Sequence, residues 1–162
     1  MNTSYIKKLY EYNWKIRKQW LDWCGDLTHA EFIKIRVGGL RSLHYTFFHI
    51  IQVEESWIAG IANEIDPNRS FNDYPFLEDI IQLSNEVEES TKSFLDSYSS
   101  RQDNNLLTGT NENGGFYSYQ FAEVLLYVAV HEVHHIGQCS VWAREIGRTP
   151  VSASAYDLQL YP

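Results

Sequence analysis

The chain has 162 residues, of which 44% are hydrophobic and 21% charged. That composition suits a single globular domain spanning 1–162 and excludes an extended disordered chain. Thirteen Lys and Arg against twenty-one Asp and Glu leave a net charge of −8, so the basic surface that holds proteins on phosphate backbones is missing and no nucleic-acid partner is expected. The longest uninterrupted apolar run, Val124 to Val130, falls far short of the roughly 20 residues that span a bilayer. Met1 to Tyr10 holds no apolar signal segment. A cytoplasmic protein without a membrane partner is therefore expected, in which Cys24 and Cys139 remain free thiols.

Tyr5, Leu9, Tyr12, Ile16, Trp20 and Cys24 recur at steps of three and four, which predicts a first long helix over about residues 4 to 24 with those side chains inward. Thr28 followed by Glu31 has the pattern of a capping box and predicts a short helical turn, ended by Gly38-Gly39. From Ser42 to Ala62 the apolar residues cover more than half of a helix circumference, so this second long helix must be contacted on two sides. Pro75 suits the first turn of a third long helix that runs to about Tyr98, with Leu77, Ile80, Ile81, Val87, Thr91, Phe94 and Leu95 on one face. Residues 99 to 118 read as a long loop with a short hairpin. The fourth long helix runs from about Tyr119 to Ile146, is stopped by Gly147 and Pro150, and leaves an extended tail to Pro162. Four long helices without a strand series give an all-α chain, a four-helix bundle.

The informative stretch is His131-Glu132-Val133-His134-His135. At about 100° per residue, His131 and His135 lie about 40° apart on the wheel and share a stripe with Val124, Val128, Gln138, Cys139, Trp142 and Ile146. Both imidazoles are expected to face the core, while His134 and Glu132 fall to either side of that stripe and read as peripheral. Two core imidazoles one turn apart each carry an N–H and a lone pair that need partners. A metal ion bound through one nitrogen of each ring resolves this, with ordinary hydrogen bonds as the plainer alternative.

Two other patterns overlap the same residues. His131, Glu132 and His135 fit H-E-x-x-H, but a metzincin continuation needs Gly and His where Gln138 and Val141 stand, and no sheet precedes the helix. Glu132 and His135 also spell the E-x-x-H of di-iron bundles, a chemistry that needs a second such motif; no other His here follows a Glu by three. A mononuclear site needs a third ligand, and the helical wheel leaves both His44 and His49 open.

The strings His49-Ile50-Ile51-Gln52-Val53-Glu54-Glu55-Ser56-Trp57 and His131-Glu132-Val133-His134-His135-Ile136-Gly137-Gln138, with Leu9-Tyr10-Glu11-Tyr12-Asn13-Trp14 ahead of them, resemble the signature segments of the DinB (DNA-damage-inducible) family, the DinB/YfiT-like metalloenzymes. The resemblance implies an up-down-down-up four-helix bundle, a homodimer, and a divalent metal held by His49, His131 and His135. Three neutral imidazoles leave the ion its full charge and an open coordination position. Zn or Ni suits that donor set first, with Fe, Mn or Cu as alternatives.

Because the family contains transferases that use bacillithiol or mycothiol, the resemblance implies activation of a small-molecule thiol for attack on an electrophile. Two further readings stand beside it. One is a metal-hydroxide hydrolase, with Glu54 or Glu132 as acid/base. The other is a non-catalytic metal-binding dimer in a stress response. The tail around Asp157, Gln159 and Tyr161 is a candidate lid or further ligand.

Overall fold

The computed structural model describes residues 3–111 and 113–158. Among these, five α-helices and one two-stranded sheet form: α1 Thr3–Cys24, α2 His29–Ile33, α3 Leu43–Ala62, α4 Leu77–Ser97, β1 Leu106–Thr110, β2 Phe116–Gln120 and α5 Phe121–Glu145. No helix among the described residues is long and apolar enough to cross a membrane.

Local chemistry sets most of the boundaries. The Thr28 hydroxyl accepts from Glu31 N–H and starts α2; the Ser42 hydroxyl accepts from Tyr45 N–H and starts α3, which ends at Asn63 in the left-handed conformation. Two starts differ from the sequence expectation. The chain turns helical only at Leu77, because the Asp79 carboxylate accepts from Phe76 N–H and fixes the cap there, leaving Pro75 outside the first turn. Likewise Tyr119 and Gln120 belong to β2, paired with Leu107 and Leu106, and α5 starts at Phe121 where the Glu123 carboxylate accepts from Gln120 N–H. The hairpin that emerges from the 99–118 segment lays Leu107 over Gly60 and places Tyr117 and Tyr119 beside Trp57, covering the end of α3.

The four long helices pack side by side, with α3 between α4 and α5, and α1 against the same pair on the other side. Along α1 and α5 partners rise together: Tyr10 with Leu125, Asn13 with Ala129, Arg17 with Glu132, so these helices run parallel. Helices α3 and α5 run antiparallel, His49 meeting His131 and His135 while Trp57 meets Tyr127. The connection into α4 is held by Arg69, which clamps the Glu55 carboxylate at 2.7 and 2.8 Å and donates to the Tyr74 hydroxyl.

The core falls into two apolar clusters. One gathers Ile16, Trp20, Phe47, Ile51, Leu83, Cys139 and Trp142; the other gathers Ile6, Tyr10, Ile58, Leu95, Leu125 and Val128. Between them lies a buried polar layer of Asn13, Arg17, Glu54, Thr91 and Glu132. Arg17, fully buried, donates from Nε to Glu132 Oε1 at 2.8 Å and from Nη2 to Glu132 Oε2 at 2.7 Å, and Nη2 also donates to Glu54 Oε2. Trp14 Nε1 donates to the other oxygen of Glu54 at 3.0 Å.

This layer corrects two sequence expectations. The inward face of α1 carries Ile6, Tyr10, Asn13, Trp14 and Arg17 as well as Ile16, Trp20 and Cys24, while Tyr5 is 66% exposed. Glu132 is not peripheral; it is 4% exposed and faces the middle of the core, because Arg17 waits there to receive it.

Replacing Arg17 by Met should destabilise the fold by about 3 to 5 kcal/mol, since two carboxylates would then share a dry layer without a cation. Replacing Arg17, Glu54 and Glu132 together by apolar residues should recover much of that loss. Urea unfolding of the two variants checks both statements.

Candidate metal centre

His49 on α3 and His131 and His135 on α5 meet beside the buried polar layer, five residues from Glu54 and next to Glu132 in the chain. His131 Nε2 lies 3.2 Å from His49 Nε2 and 3.1 Å from His135 Nε2, and the three nitrogens fall within 4.8 Å of one another. Each ring is partly buried. The pair on α5 therefore sits at the edge of the core stripe instead of at its centre, a second consequence of Glu132 occupying that centre.

An imidazole nitrogen carries either one proton or one lone pair, so His131 Nε2 cannot make a good hydrogen bond to both neighbours at once. A cation that accepts the lone pairs of all three satisfies every contact, and three neutral nitrogens are the donor set that Zn, Ni and related ions favour. The residues present thus fit a divalent metal. Burial, reinforced by the His135, His49 and His134 charges, pushes the His131 pKa down to about 4. Burial likewise lowers His49, with His135 adding to it, and lowers His135, with Gln138 acting in the opposite sense. All three rings are therefore neutral and open to a metal at neutral pH.

The other histidines have separate fates. His44 is buried, its Nε2 lies 2.6 Å from the Tyr74 carbonyl, and its ring packs between Phe32 and Phe71. It is a satisfied core residue, and of the two histidines on α3 it is His49 that lies beside His131. His29 is exposed on α2, and His134 is exposed with its ring 5.0 Å from that of His135. Gln159 and Tyr161 lie outside the described residues, as does the side chain of Asp157.

Glu54 and Glu132, the candidate acids or bases, are both engaged by Arg17. Burial raises the Glu132 pKa against the pull of Arg17, while the guanidinium, which burial disfavours, is held charged by Glu132 and Glu54. Cys139 donates to the His135 carbonyl at 3.7 Å, and burial pushes its thiol up to about 12; burial raises Cys24 as well. Neither thiol is a ready nucleophile.

Sequence reasoning did not single out Gln138 and Gly39 as a pair. Gly39, at φ +51°, passes so close to α5 that a Cβ would collide with Gln138 Oε1. That close approach keeps the loop after α2 against a side chain one turn beyond His134 and His135.

Metal-free protein should lose stability as the pH falls from about 6.5 towards 4. The unfolded histidines take up protons first across that window, so the unfolded state binds more protons and gains. Thermal melts in EDTA at a series of pH values should show this fall, and it should be shallower in His131→Gln.

Comparison with known proteins places the fold and the family. The DinB family profile matches residues 1–159. The protein YizA of Bacillus subtilis (strain 168) is 42% identical over 157 residues, which cover 97% of this chain and 98% of YizA. A crystal structure of a DinB-like protein from Bacillus cereus ATCC 10987 superposes with a TM-score of 0.64 at 16% identity, covering 91% of this chain and 94% of that one. The fold is thus DinB-like, and the match along nearly the whole sequence assigns the chain to the DinB family.

Proposed function

We propose that the protein binds one divalent cation, Zn or Ni in the first place, through Nε2 of His49, His131 and His135, and uses it to activate a low-molecular-weight thiol of the bacillithiol type for attack on an electrophile. The carrying observation is the convergence of three neutral imidazole nitrogens from two helices. In this reading the four long helices form the DinB bundle of up-down-down-up order, an arrangement supported by the parallel pairing of α1 with α5 and the antiparallel pairing of α3 with α5. The reaction belongs in the cytoplasm, where both cysteines stay reduced.

When bound, the cation supplies Lewis acidity and lowers the pKa of a thiol that reaches it. The chain's own groups favour a thiol over water as the nucleophile. Attack by water calls for a free base beside the site, and the two candidate carboxylates, Glu54 and Glu132, are held by Arg17. A thiol ionised at the site needs no such base. Since Cys24 and Cys139 are buried with raised pKa values, the thiol comes from outside. Room for an organic partner lies next to the triad, in a cavity of about 470 Å³ lined by Trp57, Tyr119, Glu123, Val124 and Tyr127; the Tyr127 ring is 5.5 Å from that of His131.

Protein purified without a nickel column should hold about one equivalent of metal. His131→Ala and His135→Ala should abolish stoichiometric binding, whereas His44→Phe and His29→Ala should keep it. Conjugation of an electrophile should require both thiol and metal and should survive Cys139→Ala. Chelator-insensitive turnover would remove the metal from the reaction, thiol-independent hydrolysis would point to water, and no turnover across a broad electrophile panel would leave a metal-binding protein without catalysis.

The partner we propose for the outer face of α5 is a second copy of the chain. Leu126, Val130, Val133 and Val141 follow at helical spacing and are 47%, 53%, 43% and 55% exposed, a continuous apolar stripe that neither the hairpin nor the described part of the tail covers. Light scattering should give twice the 18.9 kDa chain mass, and Val133→Asp should return it to the monomer.

A further inference from the structure

The cavity beside the triad has walls of a particular kind. Trp57 of α3 stands nearly perpendicular to three tyrosines: Tyr117 at 6.1 Å and 65°, Tyr119 at 6.1 Å and 66°, and Tyr127 at 5.8 Å and 75° between ring centroids and planes. Tyr117 and Tyr119 stack on each other at 5.5 Å, two residues apart on one face of β2. The arrangement depends on the hairpin register. Tyr117 pairs with Gly109, where a Cβ would collide with the tyrosine hydroxyl. At the mouth stands Glu123, one oxygen of which caps α5 by accepting from Gln120 N–H.

Tyr119 and Tyr127 remain about half exposed and Trp57 and Tyr117 partly so, which puts large aromatic surfaces in contact with solvent instead of in the core. The surrounding charge is one-sided. Helix α3 contains no Lys or Arg, nor does the stretch from 102 to 143 that supplies the hairpin and most of α5; Arg17 and Arg69, from outside these segments, pair with Glu54, Glu132 and Glu55, which leaves Glu123 as the carboxylate on the cavity wall. A ligand anion would find no countercharge on these walls. A cation would find aromatic rings and the Glu123 carboxylate, the combination that recognises alkylated ammonium groups.

We propose that the box formed by Trp57, Tyr119 and Tyr127, with Tyr117 stacked behind Tyr119 and the Glu123 carboxylate on the wall, is a binding site for a small organic ammonium cation. The proposal deepens the reading of this cavity as the seat of the second substrate by naming the group that substrate carries, but its test needs neither metal nor turnover. The site is separate from the metal ligands and touches them only through Tyr127, whose ring contacts that of His131.

The probes are choline chloride and its neutral isostere 3,3-dimethylbutan-1-ol, titrated at constant ionic strength into the full chain in EDTA. The readout is the Trp57 indole N–H resonance, identified by its loss in Trp57→Phe. Choline should move this resonance and bind about tenfold more tightly than the alcohol. Tyr127→Leu should weaken choline binding several-fold. Glu123→Gln, which keeps the helix cap because Gln serves equally at that position, should narrow the gap between the two probes. Equal affinity for both probes would make the cavity merely apolar and overturn the proposal, as would a Trp57 resonance that choline leaves in place while the rest of the spectrum stays folded. Repeating the titration in His131→Ala separates the two readings. Choline binding that persists there while metal is lost confines the inference to the aromatic box, and metal binding without choline binding refutes the box alone.

Discussion

A guanidinium without water around it organises this molecule. Arg17 is fully buried and its hydrogen bonds go to carboxylates on two other helices, so α1, α3 and α5 are locked at one height along the stack. The two apolar clusters on either side would tolerate some sliding, because dispersion and burial are nearly indifferent to small shifts along a helix axis. An ion pair in a dry layer is not indifferent. A one-residue slip would turn Glu132 by about 100° and leave Arg17 facing one carboxylate.

The imidazole cluster inherits its precision from this layer. His49 lies just over one turn before Glu54, and His131 is the neighbour of Glu132, so the contacts that fix the carboxylates also fix the rings. Gln138, pressed against Gly39 and within reach of His134 at 3.4 Å, lies at the far end. The imidazole cluster thus stands on helices whose register is enforced from within the core, the support that any set of ligands would need to hold its geometry.

Much of this was legible in the sequence. The one-turn spacing of His131 and His135 places both rings together whatever the fold, and the Thr28–Glu31 pattern announces α2. The choice of His49 over His44 was not legible from the wheel, because it depends on which ring meets the Tyr74 carbonyl and which meets α5, a tertiary matter. Glu132 was misplaced because a helical wheel assigns charged residues to the outside unless a buried partner is known, and Arg17 is 115 positions away. A signal was available in the run Tyr10, Asn13, Arg17, Trp20, which keeps helical spacing through two polar residues and ends in an aromatic on the core face. The starts of α4 and α5 were missed by two residues each, since Asp79 and Glu123 act on the N–H of the residue three before them and the wheel does not see that bond.

The parallel pairing of α1 with α5 has a consequence for how the chain reaches its structure. Helix α1 leaves the ribosome first, and the backbone carbonyls that receive Tyr10 and Asn13, at Leu125 and Ala129, are made more than a hundred residues later. Helices α1, α3 and α4 can collapse together in the meantime, but Arg17 then has Glu54 and lacks its second carboxylate. Closing such distant contacts is slow compared with forming neighbouring helices. Folding of this domain therefore completes only with α5, and the same late step that neutralises Arg17 brings His131 and His135 to His49, so the three rings meet on no partly made chain.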